Sequence, residues 1–308
     1  MIIFVSGRTD IPAFYSDWFF NRVHEKFVLV RNPYYPEQVT RYIIDPSVVD
    51  CLVFCTKNPH FLLPRLDEIK QFGQYYFVTI TAYGKDIEPY VPSKDNVMED
   101  FILLSKKVGK EKVCWRYDPV VVNAQYPVSY HIREFRRMAE KLSGYTDRCV
   151  VSFVDLYEKT KKNFPGIKAV SKEDALFISR AFSFIAEQNK LKLCMCAEEI
   201  DYSAYGIDTS GCITGKIISE AAGYRILPQK SSPLRKFCTC LPMHDIGMYN
   251  TCPHLCKYCY ANYNAAVVKK NSLHHDPQSP FLIGGPLPGD VVKNAKQESW
   301  RDAQEVLF

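Results

Sequence analysis

Between residues 2 and 196, short apolar runs rich in β-branched and aromatic residues alternate with longer stretches of helical periodicity. The runs fall at 2–6, 49–55, 75–81, 112–117, 149–154 and 192–196, and helices are predicted over 15–24, 62–72, 96–108, 129–142 and 172–189. Strands apolar on both faces need cover on both faces, and a helix between each pair lets them run parallel. The alternation therefore predicts an α/β fold built on a parallel sheet or a partial or full TIM-type barrel. Local signals agree: Ser171 precedes Glu173 and Asp174 as a helix start, Pro127 opens another, and apolar residues over 175–184 recur at helical spacing. A chain of 308 residues can form one large barrel or two ordinary domains.

After Cys196 the texture changes. Residues 197–240 scatter Cys212, Cys238 and Cys240 among Gly, Ser, Thr and Pro. A short strand is expected over 245–250 and a helix over 261–270, with a Pro/Gly-punctuated tail over 271–308. In that tail Gly284-Gly285 reads as a turn and His274-His275-Asp276 as a solvated loop. The expected organisation is a barrel over 1–265, with the cysteine-rich segment 194–240 inserted after its sixth strand, and a tail over 266–308 packing on it. The first apolar run lacks the basic leader and small-residue cleavage site of an export signal, and no stretch approaches a membrane span. With 12 cysteines, the expectation is a reducing, cytoplasmic setting and metal ligation, not a disulfide framework. The net charge of +5 tolerates an anionic substrate or a nucleic acid without demanding one.

The run Cys252-Pro-His-Leu-Cys256-Lys-Tyr-Cys259-Tyr places three thiols at spacing C-x3-C-x2-C. Three thiolates on one loop can hold three irons of a [4Fe–4S] cube and leave the fourth open. They can equally be three of four zinc ligands, with Cys238, Cys240 or His254 as the fourth. A second set, Cys196, Cys212, Cys238 and Cys240, could close an auxiliary [4Fe–4S] cluster or a zinc site, with Cys194 as a substitute ligand. Cys51, Cys55, Cys114 and Cys149 read as small buried hydrophobes. In a parallel barrel the C-terminal strand ends face the site. That rule selects Arg8, Thr9, Asp10, Thr56, Lys57, Thr81, Tyr83, Arg116, Asp118, Asp155, Tyr157, Glu198 and Glu199. Arg116 and Lys57 suit a carboxylate or phosphate, and Asp10 and Asp155 suit ribose hydroxyls or proton acceptance.

The claw with its flanks, from Ile246-Gly-Met-Tyr to Tyr260-Ala-Asn262, resembles the cluster loop of radical S-adenosylmethionine enzymes, above all the spore photoproduct lyase-like branch. There the loop lies near the N-terminus; here it lies late in the chain. The remaining likenesses keep their order if the chain is circularly permuted. They are Arg8-Thr-Asp10-Ile-Pro12, Thr56-Lys57-Asn58-Pro59, Thr79-Ile-Thr81 with Glu88-Pro89, and Arg116-Tyr-Asp118-Pro119. The chain also resembles a family described as a domain of unknown function, DUF1848. The shared features are Ser6-Gly-Arg8-Thr-Asp10-Ile-Pro12, Thr56-Lys57-Asn58-Pro59, Cys196-Ala-Glu-Glu199 and the claw.

These resemblances imply a permuted radical enzyme whose Cys252, Cys256 and Cys259 hold a [4Fe–4S] cluster that binds S-adenosylmethionine. A 5′-deoxyadenosyl radical would then act on a small-molecule or nucleotide-type substrate, with a ferredoxin or flavodoxin as reductant. Tyr258 or Tyr260 would cover the cofactor's adenine, with Thr81 and Asn262 as further contacts. Permutation requires the strand before Cys252 to lie beside the strand at 2–6, because first and last barrel strands are neighbours. Two other classes compete: an iron–sulfur protein for electron transfer or redox sensing, and a zinc-stabilised nucleic-acid-binding protein.

Overall fold

In the computed structural model, which describes residues 1–228 and 236–302, β1 (Ile2–Phe4) leads into α1 (Ile11–Phe14) and α2 (Ser16–His24). An antiparallel pair follows, β2 (Phe27–Arg31) and β3 (Gln38–Ile43), and then β4 (Cys51–Thr56) and β5 (Gly73–Thr79). Beyond them come α3 (Lys94–Val108), β6 (Val113–Val120), α4 (Val128–Leu142), β7 (Arg148–Phe153), α5 (Glu158–Asn163), α6 (Lys172–Gln188) and β8 (Lys192–Met195). The last elements are α7 (Gly215–Ala222), β9 (His244–Asp245), α8 (Ala265–Ser272) and β10 (Val291–Asn294).

Seven strands form one sheet in the order β8-β7-β6-β5-β4-β1-β9, every pair parallel. From β4 to β8 each crossover moves one strand further in the same direction, so right-handed connections drive the intervening helices to one face. The aromatic core records this. Phe54 stacks on Tyr76 at 4.8 Å, Trp115 on Phe135 at 4.8 Å and Phe135 on Phe182 at 3.8 Å, joining β4, β5 and β6 to α4 and α6. All seven residues of β5 are buried, as a central parallel strand requires. The helix caps follow the sequence. Ser93 accepts from the Asn96 amide, Ser171 from the Asp174 amide, and Gly109 at φ 97° ends α3.

The strand before the claw does lie beside the first strand: Ile3 pairs with His244 and Phe4 with Asp245. A Cβ at Gly7 would run into the Asp245 carboxylate, so glycine is what allows β1 and β9 to close up there. Arg8 then clasps β9, its Nε 3.1 Å from Asp245 Oδ2 and its Nη2 2.8 Å from the Asp245 carbonyl.

Several expectations need correction. The sheet does not close into a barrel: β8 and β9 are its edges among the described residues. The segment predicted as a helix over 62–72 is a 3-10 turn at Leu63–Ile69 with Pro64 at its start, where the ring removes an amide donor. The strand expected over 245–250 is only His244–Asp245, because Gly247 folds back to donate its amide to Asp245 Oδ1 at 2.7 Å. The helix expected over 261–270 starts later, where Asn264 accepts from the Val267 amide. A second sheet, β10-β3-β2, was not foreseen. Its β2 and β3 carry mostly half-buried side chains and lack the fully apolar runs of the main sheet.

Alternation along the strands defines the other face of the main sheet. Register places Cys55, Phe77, Cys114, Arg116, Val150 and Cys194 on the side opposite Phe54, Tyr76 and Trp115. The segment after β8 covers this face: Cys212 reaches Arg116 and Cys196 there. Among the described residues no helix is long and apolar enough to cross a membrane.

Candidate metal centre

The claw follows β9 at the strand-end side of the sheet. Its thiols are unpaired by disulfides, Cys256 buried and Cys252 and Cys259 half-buried. The loop is wound so that backbone amides point at sulfur. Ala261 donates to Cys259 Sγ at 3.3 Å, Asn262 also donates to Cys259, and His254 donates to Cys252. Amides aimed at sulfur suit thiolates better than thiols. Burial pushes all three thiols up from their ordinary range, and neighbouring claw cysteines add to the rise at Cys252 and Cys256.

Around the claw lies a polar shell drawn from four strand ends. Glu88, 1% exposed, accepts from Thr81 Oγ1 at 2.6 Å and Lys57 Nζ at 2.8 Å, and also from Lys94 and the Tyr258 hydroxyl. Burial alone would raise the Glu88 carboxyl, but the Lys57 and Lys94 ammoniums outweigh it and hold it well below the usual range. Burial pulls Lys57 down, while Glu88 and Cys256 more than compensate and keep it charged. Lys57 Nζ also lies 5.6 Å from the centre of the Tyr258 ring. Asp10 is spent on the frame. Its Oδ1 accepts from Ala13 N at 3.1 Å and Thr56 Oγ1 at 2.7 Å, and its Oδ2 from Lys57 N at 2.8 Å and His254 Nε2 at 3.1 Å. Nδ1 of His254 faces the Tyr90 carbonyl at 3.3 Å, so both ring nitrogens point at oxygen atoms.

The other selected residues separate. Tyr258 is buried, whereas the Tyr260 ring is 46% exposed, anchored by its hydroxyl on the Gly7 carbonyl at 2.5 Å. Asn262 holds the Cys252 carbonyl through Nδ2 at 2.8 Å, and its Oδ1 is buried with no hydrogen-bond partner among the described residues, as is Thr9 Oγ1. Arg8 is committed to Asp245. Asp155 is exposed and accepts from the Tyr157 hydroxyl at 3.2 Å. Arg116 pairs with Asp118, and both lie within electrostatic reach of Cys55.

Of the second set, Cys196, Cys212 and Cys240 bring their sulfurs within 4.8 Å of one another, all buried, and this group could hold a metal ion. Cys238 touches Cys240. Among the described residues no other three cysteine, histidine or acidic side chains converge so tightly, so the claw sulfurs are neighbours at a wider spacing. Strain follows both sets. Of the six non-glycine residues with positive φ among the described residues, Ala197, Phe237, Asn250 and Leu255 each lie within two positions of one of these cysteines.

Glu88 and Lys94 were not picked out as site residues from the sequence. The Glu88-Pro89 pair was visible, but its pairing with Lys57 depends on a fold contact 31 residues apart. Cys55, read as packing, is half-buried and within electrostatic reach of both Asp10 and Arg116.

A family described as a domain of unknown function, DUF1848, matches residues 2–261, a span from β1 to just past the claw. No curated protein and no solved structure matches the chain.

Proposed function

The chain belongs to the DUF1848 family, and from that premise we propose that it is an iron–sulfur, S-adenosylmethionine-dependent radical enzyme. The observation that carries the reading is the placement of the claw. Three thiols on one amide-lined loop sit at the strand ends of a singly wound parallel sheet, with the permuted strand β9 paired to β1. Three thiolates on one loop can each bind a different iron of a cube and leave the fourth iron open.

Cys252, Cys256 and Cys259 would hold the cluster. Bound there with S-adenosylmethionine, it would supply one-electron radical chemistry, with electrons from a ferredoxin- or flavodoxin-class donor. The chain's own residues have definable tasks. Lys57 offsets thiolate charge beside Cys256, and Glu88 with Tyr258 fixes its ammonium. Thr9 Oγ1 and Asn262 Oδ1 are buried polar atoms awaiting a partner. Tyr260 offers an exposed ring beside Cys259 for stacking. The substrate would be a small molecule or nucleotide-type compound; Arg116, already paired with Asp118, would meet an anion only by sharing or exchanging that partner.

The test is anaerobic reconstitution with iron and sulfide, reduction, and assay of 5′-deoxyadenosine from S-adenosylmethionine, with Cys256→Ala as control. Formation in the wild type and loss in the variant is expected. Iron-loaded protein that makes none under any reductant defeats the reading. A cluster that cycles between redox states without responding to S-adenosylmethionine would select electron transfer or sensing instead.

A further inference from the structure

We propose that Cys196, Cys212, Cys238 and Cys240 form a closed site for one tetrahedral dication of the zinc class, separate from the claw. The spacing of the sulfurs is the first ground. Cys196 Sγ lies 3.5 Å from Cys212 Sγ, which lies 3.3 Å from Cys240 Sγ. Zinc–sulfur bonds of about 2.3 Å in a tetrahedron put the sulfurs about 3.8 Å apart. A four-iron cube hangs each thiolate on a separate iron and needs more room. Three of the four sulfurs are therefore already gathered around the volume of a single ion, and Cys238, in contact with Cys240, would supply the fourth.

The second ground is how the chain reaches that point. Cys196 follows β8. Cys212 arrives from a segment bridged to β8 through Cys194 and Asp208. Cys238-Thr239-Cys240 supplies a two-thiol knuckle, with Cys238 against Cys240. Gly211, at φ 106°, lies so close to the knuckle that a Cβ would stand 2.8 Å from Thr239 Oγ1. Ala197 and Phe237 accept left-handed conformations beside their cysteines. Four thiolates around a dication leave the site negative, and Arg116 Nη1, 3.9 Å from Cys212 Sγ, sets a cation against it while also pairing with Asp118. All four cysteines are buried, which leaves the ion no open position for substrate. The ion would clamp the segment after β8 onto the inner face of the sheet.

This inference does not depend on the radical reading, and the experiment separates them. Zinc, iron and sulfide are measured per chain in the anaerobically purified full-length protein, in Cys256→Ala and in Cys212→Ser. About one zinc per chain is expected, unchanged in Cys256→Ala while iron falls, and at least about tenfold lower in Cys212→Ser. Should Cys212→Ser prove insoluble, protein produced with Co2+ in place of zinc decides. Intense tetrahedral bands with thiolate charge transfer should persist in Cys256→Ala and weaken in Gly211→Ala. About eight irons per chain, zinc far below one per chain, or cobalt bands that vanish with Cys256→Ala would overturn the proposal.

Discussion

Glu88 is the residue on which the claw's surroundings turn. Removing its carboxylate leaves Lys57 and Lys94 facing each other with little water, since both are mostly buried. Glu88→Ala should therefore lose roughly 3–5 kcal/mol in urea unfolding. Glu88→Leu combined with Lys57→Met should recover part of that loss, and no recovery would show that the charge pair is not what matters. His131 gives a pH prediction. It is fully buried, with Nδ1 2.8 Å from the Tyr117 hydroxyl and Nε2 2.8 Å from the Val121 carbonyl, and burial lowers its pKa. The unfolded imidazole binds a proton near its ordinary value of about 6.5 while the folded one stays neutral, so stability is lost as pH falls through that value. His131→Phe should flatten the slope below about pH 6.5 and cost about 1–3 kcal/mol at neutral pH, read from urea midpoints across pH. At this scale the sequence was only partly legible. Three cysteines at C-x3-C-x2-C announce themselves by spacing. The Glu88, Lys57 and Lys94 cluster does not, because its members are joined by folding and not by any local pattern.

The elements were more legible than their neighbours. Every strand of the main sheet from β4 to β8 has the apolar character that marks burial on both faces, so its run could be found to within a few residues. β9 could not be sized from its sequence, since two residues joined by Arg8 and a Gly7 contact carry no periodicity. β2 and β3 alternate weakly and depend on each other and on the distant β10 for their pairing. The β1–β9 seam yields a prediction. Gly7→Ala would push a methyl group into Asp245 and Phe4. It should destabilise by about 1–3 kcal/mol and lower iron loading together, because β9 carries the claw. Unchanged iron content in a destabilised variant would show that the seam does not govern the claw.

For the whole molecule, the parallel α/β class was readable from the strand–helix alternation, and whether the sheet closed was not. Closure depends on what occupies the inner face, and the cysteine-rich segment after β8 carries one short helix, α7, capped by Thr214 and Gly223, and no strand long enough to extend the sheet among the described residues. The sheet's order also sets its dynamics. Amides of β4, β5, β6 and β7 have strand neighbours on both sides, while β8 and β9 are edges. Native-state hydrogen exchange should find the slowest amides in those central strands and the fastest main-sheet amides in β9. Equal protection across the sheet would contradict that reading.

Because β9 comes late in the chain yet docks against its beginning, the ribosome delivers Asp10, Lys57, Glu88 and Arg116 long before any claw sulfur emerges. A metal bound by the claw would therefore meet strands already made instead of seeding them. Refolding followed by amide protection should give the same rate for β4 to β7 with and without iron; acceleration by the metal would place it at the start of assembly.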